Sequence, residues 1–278
     1  MIGRRTPLQL LLLVAAIAAT VGFVALPLLW MLSSSFMPFD ELFGRQLRLL
    51  PGAPTVQHYA DLLVRTRFPV YFKNSLIVAM LATLGAIVCA ILAGYGLTRF
   101  RFRGKQAISG AVLLTYMFPP ILMAIPLFVM LKQVGLTNSL VGLALAHISF
   151  ALPLAMWLST IFFRAIPIEL DEAAMIDGAS RLTTLWRVIL PVAGPGVIAI
   201  AVFVFVLSWN DYLFSLVLMV AEANKTLPVG VAGFQEATSV EWGLIMAGGV
   251  LITVPVMIGF VLVQRWLIQG LSAGAIKD

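Results

Sequence analysis

The side chains that could do chemistry in this chain are few, and most of them lie in apolar surroundings. Trp209-Asn210-Asp211 ends an uncharged run that begins at Val188. If that run crosses a membrane, Asp211 sits at membrane depth. A carboxylate there is costly unless it is paired or wet, so it marks a functional position by default. On a helix, Ser208, Asp211 and Ser215 share one face at i, i+3 and i+7. With Asn210 beside them they are candidates to line a transport path. The other reading is that the same groups hydrogen-bond to a neighbouring helix. His147 stands alone in another apolar run, a pattern that fits a hydrogen-bonded packing residue better than a solute ligand.

Enzyme chemistry finds no constellation. Cys89 is the single cysteine, and the two histidines, His58 and His147, are far apart. That excludes an intrachain disulfide, a thiolate metal site and an HExxH pair. An intramembrane enzyme would need a nucleophile with a base, or metal ligands, at membrane depth, and His147 has no such partner in the sequence. Gly104-Lys105 follows Arg-Phe-Arg-Phe-Arg and precedes Gln106, which is not the GxxxxGK[ST] phosphate loop. No catalytic residue, no cofactor-binding residue and no metal site are expected.

The third candidate is a polar insert, ELDEAAMIDGASRLTTLWRVILPVAGP from Glu169 to Pro195. Pro167 suits a first helical turn. Glu169, Asp171 and Glu172 then favour a helix N-terminus. Gly178 suits the position just past a helix end, Ser180 an N-cap, and Pro191 a stop. A helix, a tight turn and a second helix are predicted. Leu170, Ala173, Ala174 and Asp177 follow helical spacing on the first, and Leu182, Leu185, Trp186 and Ile189 on the second. The large apolar face suits packing under a membrane domain, and the small Ala-Ala face admits a close approach. Amphipathic helices that lie on lipid are usually basic. Four acids and no base in the first helix favour a protein partner instead.

The elements that must position these residues are read from hydropathy. Apolar residues make up 61% of the 278 and charged residues 11%, with a mean hydropathy of +1.04. Soluble domains carry about a quarter charged residues, so the solvent here is mostly lipid. The net charge of +6 (18 − 12) reads as loop lysines and arginines that set orientation rather than as a nucleic-acid surface. A span needs about 20 apolar residues, and six are predicted, near 9–33, 74–98, 108–131, 140–163, 194–220 and 243–265. The first is read as an uncleaved span rather than a signal peptide, because the uncharged run from Thr6 to Phe39 exceeds a signal core of about 7–15 residues. Pro27, Pro119-Pro120, Pro126, Pro153 and Pro255 predict kinks.

The short turn Arg99–Lys105 holds four basic residues in seven and no acid, which places it, and both termini, in the cytoplasm. Its aromatic and basic residues read as a membrane anchor, with partner docking as the alternative. The outer loop 40–73 is expected to form a small ordered lid. The loop 222–242 is expected to be irregular and to project from the membrane. Gly85, Gly94, Gly96 and Gly248-Gly249 predict close helix approach.

Glu172-Ala173-Ala174, Asp177-Gly178-Ala179 and Ile189-Leu190-Pro191 keep the spacing of the EAA loop, and the chain resembles the permeases of ABC importers. The RFRFRGK turn, Trp209-Asn210-Asp211 and the tail Gly270-Leu271-Ser272-Ala273-Gly274-Ala275 extend the resemblance to the maltose-permease-like second membrane subunit of carbohydrate importers. It implies an all-α polytopic membrane protein with the type I importer fold, one permease domain over 1–278, and a cytoplasmic coupling loop at 165–193. Glu172, Ala173, Ala174, Asp177, Gly178, Ala179 and Pro191 would dock an ATPase. The implied partners are a second permease as heterodimer, two ATP-binding subunits carrying ATP and Mg, an extracytoplasmic solute-binding protein and the bilayer of a prokaryotic cell membrane. A self-contained secondary transporter or channel is the alternative reading. It would usually show internal symmetry and more intramembrane charge.

Overall fold

The computed structural model describes residues 7–42, 49–235 and 241–275. Arg4, Arg5, Arg45, Arg48, Glu236 and Lys277, which carry part of the charge reading, lie outside the described residues. The helices in order are α1 (Pro7–Ser34), α2 (Phe39–Leu42), α3 (Gln57–Val64), α4 (Phe68–Arg99), α5 (Lys105–Tyr116), α6 (Pro120–Gln133) and α7 (Leu140–Arg164). They continue as α8 (Glu169–Ile176), α9 (Arg181–Thr184), a π-helical turn at Leu185–Ile189, α10 (Leu190–Trp209), α11 (Leu213–Leu218), α12 (Leu227–Ala232) and α13 (Trp242–Ala275).

Among the described residues, five helices are long and apolar enough to cross a membrane: Pro7–Ser34, Phe68–Arg99, Leu140–Arg164, Arg181–Trp209 and Trp242–Val261. A sixth span forms if α5 and α6 are taken together, although they bend by 101° where they meet. The sequence predicts only a kink there. Pro119 lies at φ −58° and ψ 128°, because a residue before proline is pushed out of the helical region. Pro120 then opens α6, where its missing N–H costs nothing.

The chain divides into two compact units, residues 1–68 with 231–254 and residues 69–230 with 255–278. In the first, Met37, Leu62 and Phe68 are buried. The Tyr59 hydroxyl meets Ser35 Oγ at 2.8 Å, and His58 Nε2 lies 2.7 Å from the Met37 carbonyl. The loop after α1 thus carries the short helix α3 and is tied to the end of α1. The body of α1 is exposed, with Leu11 at 66% and Phe23 at 83%.

In the second unit, α4, α7 and α10 share a core laid down in levels. Val78, Leu143 and Phe214 form one. Ala86, Ala90, Ala151, Ala155, Ile200 and Val204 form the next, where small residues bring the helices close. Ile91, Tyr95, Phe163, Leu185 and Ile189 form the last, at the end that carries Arg99. Gly94 faces Ser159 with no room for a Cβ, whereas Gly96 opens onto free space.

Candidate docking surface and buried polar cluster

Short-range sequence signals build the insert after α7. Three acids in its first turn favour α8. Gly178 ends it with φ +86°, a left-handed conformation that glycine adopts freely. The amides of Gly178 and Ala179 donate to the carbonyls of Met175 and Ala174 at 3.1 and 3.0 Å, the paired bonds of a Schellman turn. Ser180 Oγ accepts from the Thr183 amide at 3.2 Å and so caps α9.

Pro191 does not stop the second helix. The helix runs unbroken from Arg181 to Trp209, because the turn before the proline widens. The Leu190 amide donates to the carbonyl of Leu185, five residues back. A π-turn relieves the clash that proline makes in a regular α-helix.

One residue of α8 that the apolar spacing passes over holds the insert in place. The Asp171 side chain is 3% exposed and that of Arg99 7%, with Arg99 Nε 2.9 Å from Asp171 Oδ2. The Tyr95 hydroxyl donates to Asp171 Oδ1 at 2.8 Å, and Arg99 Nη2 donates to the Ile166 carbonyl at 3.0 Å. Tyr95 packs edge-on against Phe100 and Phe163, and the Arg181 guanidinium lies 5.1 Å over the Phe100 ring. Arg99 and Phe100 of the RFRFRGK turn are thereby part of the seat of the insert.

Each predicted face is kept in part. Asp171 and Ala174 turn inward, while Leu170, Glu172, Ala173, Asp177 and Gly178 are exposed and Ala179 is half-buried. On the second helix Leu185 and Ile189 are buried, but Leu182 and Trp186 are 60% and 47% exposed. Ile176, which the sequence reading did not single out, is 85% exposed. Glu172, Ala173, Ile176 and Leu182 thus present a mixed acidic and apolar surface that a protein partner could cover.

The second candidate is not inside a continuous span. The helix from Arg181 ends at Trp209, residues 210–212 are irregular, and α11 begins at Leu213. Asp211 caps α11, since its carboxylate accepts from the amides of Phe214 at 3.3 Å and Ser215 at 2.9 Å, and from Ser215 Oγ at 2.9 Å. Across from it, buried His147 places Nε2 3.1 Å from Asp211 Oδ2 and Nδ1 2.6 Å from Ser208 Oγ. Ser208 and Asp211 are therefore turned to His147 on α7, Ser215 is held by Asp211, and Asn210 is exposed beside the break. The pairing of His147 with Asp211 is visible only once α7 and α10 are side by side.

The first part of the loop after α11, Glu222 to Leu227, is strapped down rather than projecting. Asn74 Nδ2 donates to the carbonyls of Ala223 and Lys225 at 2.9 and 3.0 Å, Tyr71 bonds Glu222, and the Leu227 amide donates to Ser75 Oγ at 2.8 Å.

Residues 86–273 match the family described as binding-protein-dependent transport system inner membrane component. The trehalose transport system permease protein SugB of Mycobacterium tuberculosis is 37% identical over 92% of this chain and 94% of its own. The trehalose/maltose transport system permease protein MalG of Thermococcus litoralis is 35% identical over 97% of each. The fold is similar to that of a chain in the crystal structure of a bacterial ABC transporter involved in import of the acidic polysaccharide alginate. There the TM-score is 0.80 at 21% identity, over 92% of this chain and 95% of that one.

Proposed function

We propose a function from this premise: the chain belongs to the family of binding-protein-dependent transport system inner membrane components, and is a multi-pass membrane protein that serves as a transport permease. The proposed role is that of one membrane half of an ATP-driven sugar importer. Two relatives named for trehalose or for trehalose and maltose support a sugar as the solute. The observation that carries the mechanism is the insert around α8, a short helix with an exposed acidic and apolar face, fixed by a buried ion pair to the end of α4.

In this reading two ATP-binding subunits hold ATP and Mg and sit below the Arg99 end, in the cytoplasm with both termini. One of them receives Glu172, Ala173, Asp177 and Gly178, with Ala174 and Ala179 packed behind and Pro191 where the helix widens. A second permease completes the path, and an extracytoplasmic binding protein delivers the solute. Closure of the ATPases moves α8, and the spans alternate in access. The path runs past the break at 210–212, where Asn210 is exposed and Ser208, Asp211 and Ser215 hold the break in shape.

Affinity purification of the tagged chain in mild detergent, wild type beside Glu172→Lys, tests this. Wild type brings down an ATPase subunit and a second permease, and the charge reversal weakens the ATPase. A wild-type chain that purifies alone and carries trehalose or maltose in liposomes without ATP overturns the reading.

A further inference from the structure

We propose that Asp171 and Arg99 are a positioning pair that makes α8 move as one body with α4, so that a load on the docking face reaches the segment held at the other end of α4 through a single rigid helix. The consequence for transport rests on the importer reading above. The pair itself is argued from geometry.

Helix α8 has eight residues, too few to hold its shape alone. Its buried residues are Asp171 and Ala174, so the apolar part of its seat is one small side chain. The larger part is polar. Asp171 takes both Arg99 and Tyr95, and Arg99 also grips the Ile166 carbonyl in the segment entering α8. All three bonds run to the last two turns of α4.

Helix α4 has 32 residues, about 48 Å at 1.5 Å per residue. Its opposite end is fastened as firmly. Tyr71, Asn74 and Ser75 hold the segment from Glu222 to Leu227 by four hydrogen bonds. One helix therefore carries the docking element at one end and a loop of the opposite end at the other. Displacing α8 displaces that loop without passing through a flexible connection.

The test uses the complex that co-purifies with the tagged chain, in proteoliposomes, as wild type, Asp171→Asn, Arg99→Gln and Arg99→Lys. Two quantities are read: amide exchange of residues 166–176 and of the last turn of α4, and moles of trehalose or maltose imported per ATP hydrolysed. Asp171→Asn and Arg99→Gln should raise exchange in both segments together by about tenfold. They should also cut import per ATP by about tenfold while hydrolysis continues. Arg99→Lys keeps the charge and should retain at least half the wild-type ratio.

Exchange that rises in α8 alone, or an assembled Asp171→Asn complex that imports at the wild-type ratio, overturns the proposal. If Asp171→Asn does not assemble, the two Arg99 variants decide, and equal losses in both overturn it. Uptake by wild type without ATP sinks the importer reading instead, and the exchange data still judge the pair.

Discussion

Replacing Gly178 by alanine separates conformational cost from crowding. The residue sits at φ +86°, and a Cβ built there meets nothing within 4 Å. The substitution therefore costs what the left-handed region costs an L residue, about 1–2 kcal/mol. All of it falls on the turn in which Gly178 and Ala179 donate to Met175 and Ala174 at 3.1 and 3.0 Å. A change of that size multiplies the open population by about 5- to 30-fold. Hydrogen exchange of those two amides in the purified complex reads that population directly. Gly178→Ala should exchange faster by that factor. Gly178→Asn should fall between, because asparagine tolerates the left-handed region better. Gly135, at φ +71° and equally open, lies in the turn before the other end of α7, so Gly135→Ala carries similar strain away from the docking face. Retention of an ATPase subunit should fall for Gly178→Ala and not for Gly135→Ala. Exchange within twofold of wild type at 178–179, or equal loss of retention in both variants, refutes the reasoning.

Ile176→Ala should leave the thermal stability of the isolated permease chain within about 0.5 kcal/mol, since the side chain is 85% exposed in it. It should also weaken ATPase retention in the same pull-down as Glu172→Lys. His147→Ala removes the partner of Ser208 and one of the partners of Asp211, which keeps its bonds from Phe214 and Ser215, and the buried Ser208 hydroxyl left unpaired should cost about 1–3 kcal/mol. A thermal shift within error of wild type would show that the cluster carries no stability.

What the sequence made legible was local. Runs of about 20 apolar residues announced the spans, and Gly178 and Ser180 announced the turn between α8 and α9, because each choice is made by a residue and its near neighbours. What it hid depended on partners far along the chain. Helical spacing put Leu170, Ala173, Ala174 and Asp177 on one face open to a partner, yet Ala174 turns inward beside Asp171. The seat is an ion pair, and Asp171 differs from Glu172 only by about 100° of rotation around the helix. Prolines gave the places of disturbance but not their kind. Pro119-Pro120 makes a right-angled break, while Pro191 is absorbed by a widened turn. Asp211 looked like a residue within a continuous fifth span, yet it begins a new helix and meets a histidine 64 positions earlier (211 − 147).

The distance along the chain between Arg99 and Asp171, 72 residues, has a consequence in time. Synthesis at about 5–20 residues per second places the carboxylate about 4–14 s behind the guanidinium. Through that interval the guanidinium lacks its carboxylate, and a basic residue at a helix end is suited to anchor a newly inserted helix such as α4. When Asp171 arrives, the same guanidinium is withdrawn from solvent into its pair. One side chain thus acts first as a mooring during insertion and afterwards as a rivet in the finished molecule.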